Sequence, residues 1–388
     1  MARVSFLLLL SSLAATLQAR PLLLVSIDGM DHRYLRDRDK LGLKIPNLRR
    51  LLDQGAWADG GVIGVMPSVT FPSHTTMVTG VLPHQHGILN NNRADTGERY
   101  WSVDLIKTPV LWDAAKNAGL KVGAVHWPVT VDAKIDWNFP EHFKRRLGHG
   151  MDWDATVEKA TPGLIDKMVA KYPSMPQEWV DDRVRTLATL YLLKYEKPDF
   201  VLVHLVDHDG EAHDTGPFTT HAKAVLEHID DLLGQILAAT PKNWAVAIVS
   251  DHGFQHVKKP VLVTGIPGRH TVSGTMAIAQ DQPAAVALRK AAIGREIPAA
   301  EWKRVYPDRP VPVAAFEPPD DSTYVSKMPD KFTPRGDHGY WPFRADYHST
   351  YLVSGKGIRR ERLGEIEMTS IASRLAAILE IPFGKDSK

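Results

Sequence analysis

Pro21-Leu22-Leu23-Leu24-Val25-Ser26-Ile27-Asp28-Gly29 is an apolar run that ends in a carboxylate and a glycine. A short run with no polar face reads as a buried strand, and Gly29 permits the turn through which Asp28 emerges. Similar runs recur at Val122–His126, Phe200–Val206, Ala245–Ser250 and Thr350–Val353. Helix-like periodicity separates them, as in Ile45, Leu48, Leu51 and Leu52, a helix that Gly55 would end through a left-handed cap. Strands alternating with helices predict an α/β fold with a mostly parallel central sheet flanked by helices. In such sheets ligands bind beyond the carboxyl ends of the strands, where Asp28 stands.

The 388 residues, 44% of them hydrophobic, suffice for one large core or two modest domains. Lys and Arg number 47 against 45 Asp and Glu, a net charge of +2. No strong field points to a nucleic-acid polymer or an anionic membrane, so any phosphate recognition must be local. Arg3, the apolar run Phe6 to Leu17 and Leu17-Gln18-Ala19 predict a secretory signal over residues 1–19. That apolar run is too short for a membrane span, which needs about 20 residues, so no stable anchor is expected. The chain contains no cysteine, which excludes a disulfide framework and thiolate metal sites and leaves His, Asp and Thr as ligands. An exported, cysteine-free protein, periplasmic or secreted, fits a bacterial source better than an animal extracellular one.

Residues 20–388 read as one domain interrupted at 82–108, 127–176 and 255–335. The last stretch carries strand and helix signals of its own and reads as a small inserted cap.

Four further segments carry chemistry. Ser250-Asp251-His252-Gly253 offers two adjacent ligands at a strand end. Asp207-His208-Asp209-Gly210-Glu211-Ala212-His213 places Asp209 and His213 four apart, one face of a helical turn and a mixed pair suited to zinc, with Asp207 and His208 as competitors. Gly336-Asp337-His338-Gly339-Tyr340 sets a histidine between glycines. Pro67-Ser68-Val69-Thr70-Phe71-Pro72-Ser73-His74 puts hydroxyls just ahead of a helix-like stretch, where backbone N–H groups attract phosphate; simple N-capping by Ser68, Thr70 or Ser73 is the plainer account.

Taken in order, these motifs resemble the alkaline phosphatase superfamily and, within it, the nucleotide pyrophosphatase/phosphodiesterase family. The Thr70-Phe-Pro-x-His74 segment, Gly80-x-x-Pro-x-x-His-Gly-Ile88, Asp209-x-x-x-His213, Ser-Asp251-His252-Gly and the late Gly-x-His338-Gly carry the likeness. The resemblance implies an alkaline-phosphatase-like fold and two ions, zinc by preference with other divalent metals compatible. Asp28, Thr70, Asp251 and His252 would hold one ion, and Asp209, His213 and His338 the other. Thr70 would be the nucleophile and pass through a phosphothreonine. Asn91, in Leu89-Asn90-Asn91-Asn92, would contact a non-bridging phosphate oxygen, with Asn90 and Asn92 as competitors. Phe71 would stack under an aromatic leaving group or pack beneath the turn.

Trp127, Trp137 and Trp153 are candidates to line the pocket. His256 and His270 of the cap could touch substrate, and His74, His84, His86 and His348 read as loop-fixing. The implied substrates are small phosphate diesters or nucleotides. The nearest rival is a phosphomonoesterase of the same superfamily, but threonine-using enzymes of that kind add cations shortly after the strand that here runs Val122–His126, and no Lys or Arg lies between Lys121 and Lys134. A sulfatase would need a Cys or Ser nucleophile segment that is missing here. A non-catalytic zinc-binding protein is the remote alternative.

Overall fold

The computed structural model describes residues 20–143, 153–177 and 179–384; the segment read as a signal, 1–19, lies outside the described residues. Eight strands form the central sheet: β1 (Leu22–Ile27), β2 (Ala56–Trp57), β3 (Val122–Val125), β4 (Trp137–Phe139), β5 (Phe200–Leu205), β6 (Ala245–Val249), β7 (Tyr351–Gly355) and β8 (Glu361–Arg362). Their order is β8-β2-β7-β6-β1-β5-β3-β4. Only β7 runs against its neighbours; β1 lies parallel between β5 and β6, pairing Val25 with Val203 on one side and Ile248 on the other. The mostly parallel sheet expected from the sequence is therefore present.

The unbroken apolar run of β1 has a structural reason. Leu23, Val25 and Ile27 join one core, under helices that include Pro46–Gln54, Asp182–Tyr191 and Thr220–Ala239. Leu22 and Leu24 join the other, under Thr70–Thr79, Leu111–Asn117 and Ile371–Leu379. A strand buried on both faces has no position left for a polar residue, so alternation disappears.

Gly55 does follow the helix Pro46–Gln54, but its backbone is extended (φ −118°, ψ −173°), not left-handed. The requirement is space: a Cβ on Gly55 would lie 2.1 Å from the carbonyl oxygen of Val353. The other end of this helix is capped from a distance. Its N-cap Ile45 has no side-chain oxygen and Pro46 no N–H, so the first orphan donors belong to Asn47 and Leu48. Fully buried Asp230 accepts both, Oδ2 from Asn47 N at 3.0 Å and Oδ1 from Leu48 N at 2.8 Å. Replacing Asp230 by Ala would strand these donors, and an equilibrium denaturation series should show a loss of ~3 kcal/mol, with the Asn variant losing less. An unchanged midpoint for Asp230→Ala would show that the helix has another cap.

Residues 255–337 leave and rejoin the main body through one antiparallel pair, Gln255–Val257 with Arg335–Asp337. Between them lie a four-stranded sheet (His270–Val272, Ala277–Ala279, Ala314–Glu317, Arg295–Glu296) and the helices Gln282–Lys290 and Ala299–Val305. One small apolar cluster lies wholly within this part, and a second joins it to Met66 and Trp341 of the main body.

Candidate active site

The carboxyl ends of β6, β1 and β5, three neighbouring strands, deliver the polar groups. Asp28 follows β1 and Asp251 and His252 follow β6, all three buried. Asp209 and His213 lie in the helix Asp207–Thr215 that follows β5, His213 Nε2 standing 3.6 Å from Asp209 Oδ2. His338 directly follows the strand Arg335–Asp337, which can lie against that helix because residue 336 is glycine: a Cβ there would meet the Ala212 carbonyl at 2.1 Å.

The donor atoms converge. His252 Nε2 lies 3.1 Å from Asp251 Oδ2, 3.4 Å from Asp28 Oδ1 and 3.9 Å from Asp209 Oδ1. His338 Nε2 lies 3.7 Å from Asp209 Oδ1. Two groups have the spacing of metal ligands, Asp28 with Asp251 and His252, and Asp209 with His252 and His338. His213 adjoins the second group rather than completing it.

What each side chain does with its other atom explains the aim. His213, His252 and His338 each direct Nδ1 at a backbone carbonyl, of Gly336 (3.3 Å), Gly253 (3.2 Å) and Ser68 (3.1 Å) respectively. Nδ1–H donation to those carbonyls leaves Nε2 as the nitrogen that can offer a lone pair once it is deprotonated, the arrangement that metal-binding histidines use. Asp251 Oδ1 accepts from Gly29 N at 3.0 Å, and Asp28 Oδ2 faces His204 Nε2 at 2.9 Å. The opposite atoms, Asp28 Oδ1, Asp251 Oδ2, Asp209 Oδ1 and His252 Nε2, are buried and have no hydrogen-bond partner in the protein. Orphaned buried acceptors are costly, and one or more cations would satisfy all four.

Charge tells the same story. Burial, then the charges of Asp251 and Asp209, push the Asp28 carboxyl well above its usual range, and burial raises Asp209 as well. Burial works against a charged His252, but Asp251, Asp28 and Asp209 override it and push the imidazole up to about 9. His338, its ring stacked on that of His252 at 3.6 Å, is held well below its usual value by burial and then by His252.

Thr70 opens the helix Thr70–Thr79 and is half-buried. Neither Ser68, Thr70 nor Ser73 caps this helix: the N-cap is Val69, with no side-chain bond. The Thr70 carbonyl accepts from His74 Nδ1 at 2.8 Å, and His74 Nε2 meets Ser26 Oγ at 2.8 Å, which pins the first turn to β1. His74 Nδ1 is also 3.7 Å from Asp251 Oδ2, so the turn sits beside the first ligand group. Asn91 Oδ1 accepts from Phe71 N at 2.9 Å, whereas Asn90 and Asn92 are exposed.

Several expected residues stand elsewhere. Asp207 turns away, its carboxylate engaged by Asp182 N at 3.0 Å and Arg185 Nη1 at 3.3 Å. His208 packs edge-on against Tyr34. Phe71 is fully buried with Ile88 and Val129, so its ring offers no stacking face; Trp101, its ring 5.7 Å away, and the Arg99 guanidinium cover it. Trp127 is a core residue, and Trp137 and Trp153 pack against the other core instead of lining a pocket. A cavity of about 620 Å³ next to Asn91 is lined instead by Asn92, Arg99, Trp101, His142 and Phe143 among others. His204 escaped the sequence reading, although a lone histidine inside Phe200–Val206 was its signal.

The sequence of residues 22–309 matches the family model of type I phosphodiesterase / nucleotide pyrophosphatase. Relatives include human ectonucleotide pyrophosphatase/phosphodiesterase family member 1, 26% identical over 255 residues (62% of this chain and 24% of that protein), and venom phosphodiesterase 2 of Crotalus adamanteus, 25% identical over 257 residues (63% and 28%). This chain thus spans about a quarter of the length of the curated relatives it matches. In three dimensions it resembles human ectonucleotide pyrophosphatase / phosphodiesterase 5, with TM-score 0.66, 21% identity and coverage of 94% of this chain and 96% of that one. An inactive form of the murine counterpart in complex with AMP superposes with TM-score 0.66 at 20% identity, over 94% and 97% of the two chains. With three quarters of its sequence inside that family model, the chain belongs to the type I phosphodiesterase / nucleotide pyrophosphatase family.

Proposed function

We propose that this chain is an exported, two-metal phosphodiesterase or nucleotide pyrophosphatase that works through a covalent phosphothreonine on Thr70. The observation that carries the reading is the set of four buried, unpartnered donor atoms, Asp28 Oδ1, Asp209 Oδ1, Asp251 Oδ2 and His252 Nε2, beside the helix that begins at Thr70. Asp28, Asp251 and His252 with Thr70 would hold one ion, and Asp209, His213 and His338 the other. The mixed oxygen and nitrogen donors of a cysteine-free chain favour zinc. When bound, such a pair supplies an ionised nucleophile and neutralises the departing oxygen.

The chain's own groups do the rest. Thr70 Oγ1, its proton released to solvent, bonds to phosphorus while the bond to the leaving oxygen breaks and that oxygen takes up a proton from water. A water then attacks the phosphothreonine and gives up a proton, and Thr70 Oγ1 departs as the second leaving group and is reprotonated. The uncapped first turn of its helix offers backbone N–H groups and a positive dipole end to the phosphoryl oxygens. Asn91, held through Oδ1 by Phe71 N, has its Nδ2 donors left to meet a non-bridging oxygen. Residues 255–335 would form a cap beside this site. Export rests on residues 1–19 as a signal, and among the described residues no helix is long and apolar enough to cross a membrane.

Diesters and nucleotides are the proposed substrates, in keeping with the names of the relatives and the AMP held by the murine one. In place of the cations of a monoesterase, Trp127 and Val129 are buried, Val129 in one cluster with Phe71. Lys134 lines a separate cleft with Asp104, Asp113 and Asp132, and Arg269 faces Asp281. The reading predicts that kcat/KM for bis-p-nitrophenyl phosphate exceeds that for p-nitrophenyl phosphate at least tenfold, a transition-state difference of about 1.4 kcal/mol. One observation favours the monoesterase alternative: Arg99, whose guanidinium lies over Phe71, is a cation close to the turn. A tenfold preference for the monoester, abolished in Arg99→Met, would establish that alternative.

A further inference from the structure

His204 lies inside β5, where its chain neighbours Val203 and Leu205 are fully buried and aliphatic. A histidine that is itself 1% exposed in such a strand costs desolvation energy unless both ring nitrogens are occupied. Both have partners. Nε2 lies 2.9 Å from Asp28 Oδ2, across the register in which Ser26 of β1 faces His204. Nδ1 lies 3.3 Å from the His126 carbonyl, with the buried carboxylate of Glu141 behind it at 3.7 Å, an electrostatic contact and not a hydrogen bond. An imidazole with acceptors on both sides donates from both nitrogens. On the far side, the His74 ring packs against it at 4.3 Å.

Asp28 is therefore asymmetric. Its Oδ2 is taken by His204, while Oδ1 is buried, unpartnered and 3.4 Å from His252 Nε2. We infer that His204 is a positioning residue for Asp28: it holds Oδ2 so that Oδ1 alone is presented beside Asp251 and His252, with Glu141 and the His126 carbonyl fixing His204 from behind. Ligating carboxylates depend on such outer partners, whose loss typically weakens metal binding by about 10–100-fold. The inference rests on the dinuclear reading above but adds residues on which that reading does not depend.

The test is zinc affinity and stoichiometry, by competition with a chromophoric chelator, on the full-length protein and three variants. Expected is about a 10–100-fold weaker affinity at one of two sites in His204→Ala. His204→Gln, which keeps an N–H donor near the place of Nε2, should recover most of it, and Glu141→Gln should lose a smaller amount. Wild-type affinity at both sites in His204→Ala overturns the positioning role while leaving the dinuclear site intact. So does an equal loss in the Ala and Gln variants that follows a lowered metal-free melting temperature, since that is a purely structural effect. If His204→Ala does not fold, Gln at 204 and Gln at 141 decide: wild-type zinc affinity in Glu141→Gln together with full loss in His204→Gln overturns the proposal. A wild-type protein that takes up no zinc removes the dinuclear reading and this inference together.

Discussion

Thr70→Ala should abolish turnover of an activated diester, by about 10,000-fold or more, because removal of a covalent nucleophile leaves only binding and electrostatic stabilisation. The fold should not notice. Thr70 is half-buried at the first position of its helix and no side chain caps that helix, so the methyl group of Ala meets no lost hydrogen bond there. Alanine is also the best helix former, and a shift of the unfolding midpoint within about 0.5 kcal/mol is expected. Thr70→Ser keeps the hydroxyl but frees its rotation, and should fall within about 100-fold of wild type, the cost of a nucleophile misplaced by about an ångström. Mass spectrometry of acid-quenched wild-type protein should find the phosphoryl group on the peptide that carries Thr70. Near-wild-type turnover in Thr70→Ala would move the nucleophile elsewhere.

Exhaustive metal removal should lower turnover by about 1,000-fold or more, since a metal pair supplies several kcal/mol of charge stabilisation to an in-line displacement. Zinc should restore it. The pH dependence of that restoration follows from the metal-free electrostatics. His252, pushed up to about 9 against the opposing effect of burial, holds a proton at neutral pH, and Asp28 and Asp209 are also raised. His252 must give up that proton to become a ligand, and a raised carboxyl resists ionisation, so every shift has the same sign: metal binding favours the deprotonated forms, and acid weakens it. Zinc affinity should rise with pH from 7 towards about 9, roughly tenfold per pH unit for each proton displaced, and level off above. Calorimetry in two buffers of different ionisation heat would count the protons. Affinity that is flat across this range would show that His252 is neutral before metal arrives.

Much of the site was legible because strand ends are local features. An apolar run that stops at Asp28-Gly29, or at Asp251-His252-Gly253, marks where a buried strand emerges, and neighbouring strands in a parallel sheet emerge on one edge. The spacing of Asp209 and His213 was equally local, since four residues make one helical turn. What failed were inferences about surroundings. Phe71 follows Thr70 and could face a ligand as far as sequence tells, but Trp101 and Arg99 come from a loop that folds back over it. Gly55 looked like a left-handed cap because a helix ends there, whereas the constraint comes from the Val353 carbonyl, almost 300 residues away.

By itself, then, the sequence determined the mostly parallel sheet, five of its eight strands and the polar residues that follow them, all of which depend on periodicity over a few residues. Only the tertiary structure decided between equivalent neighbours. Asp182 and Arg185 draw Asp207 away while Asp209 faces His252, and Phe71 N selects Asn91 over Asn90 and Asn92. The aim of two candidate ligands is likewise a long-range property: the Ser68 carbonyl orients His338 across 270 positions, and His204 holds Asp28 across 176. Which atom of a side chain is free depends on what occupies the other one, and for Asp28, Asp251, His213 and His338 that partner comes from a distant part of the chain, whereas His252 is held by its own neighbour Gly253.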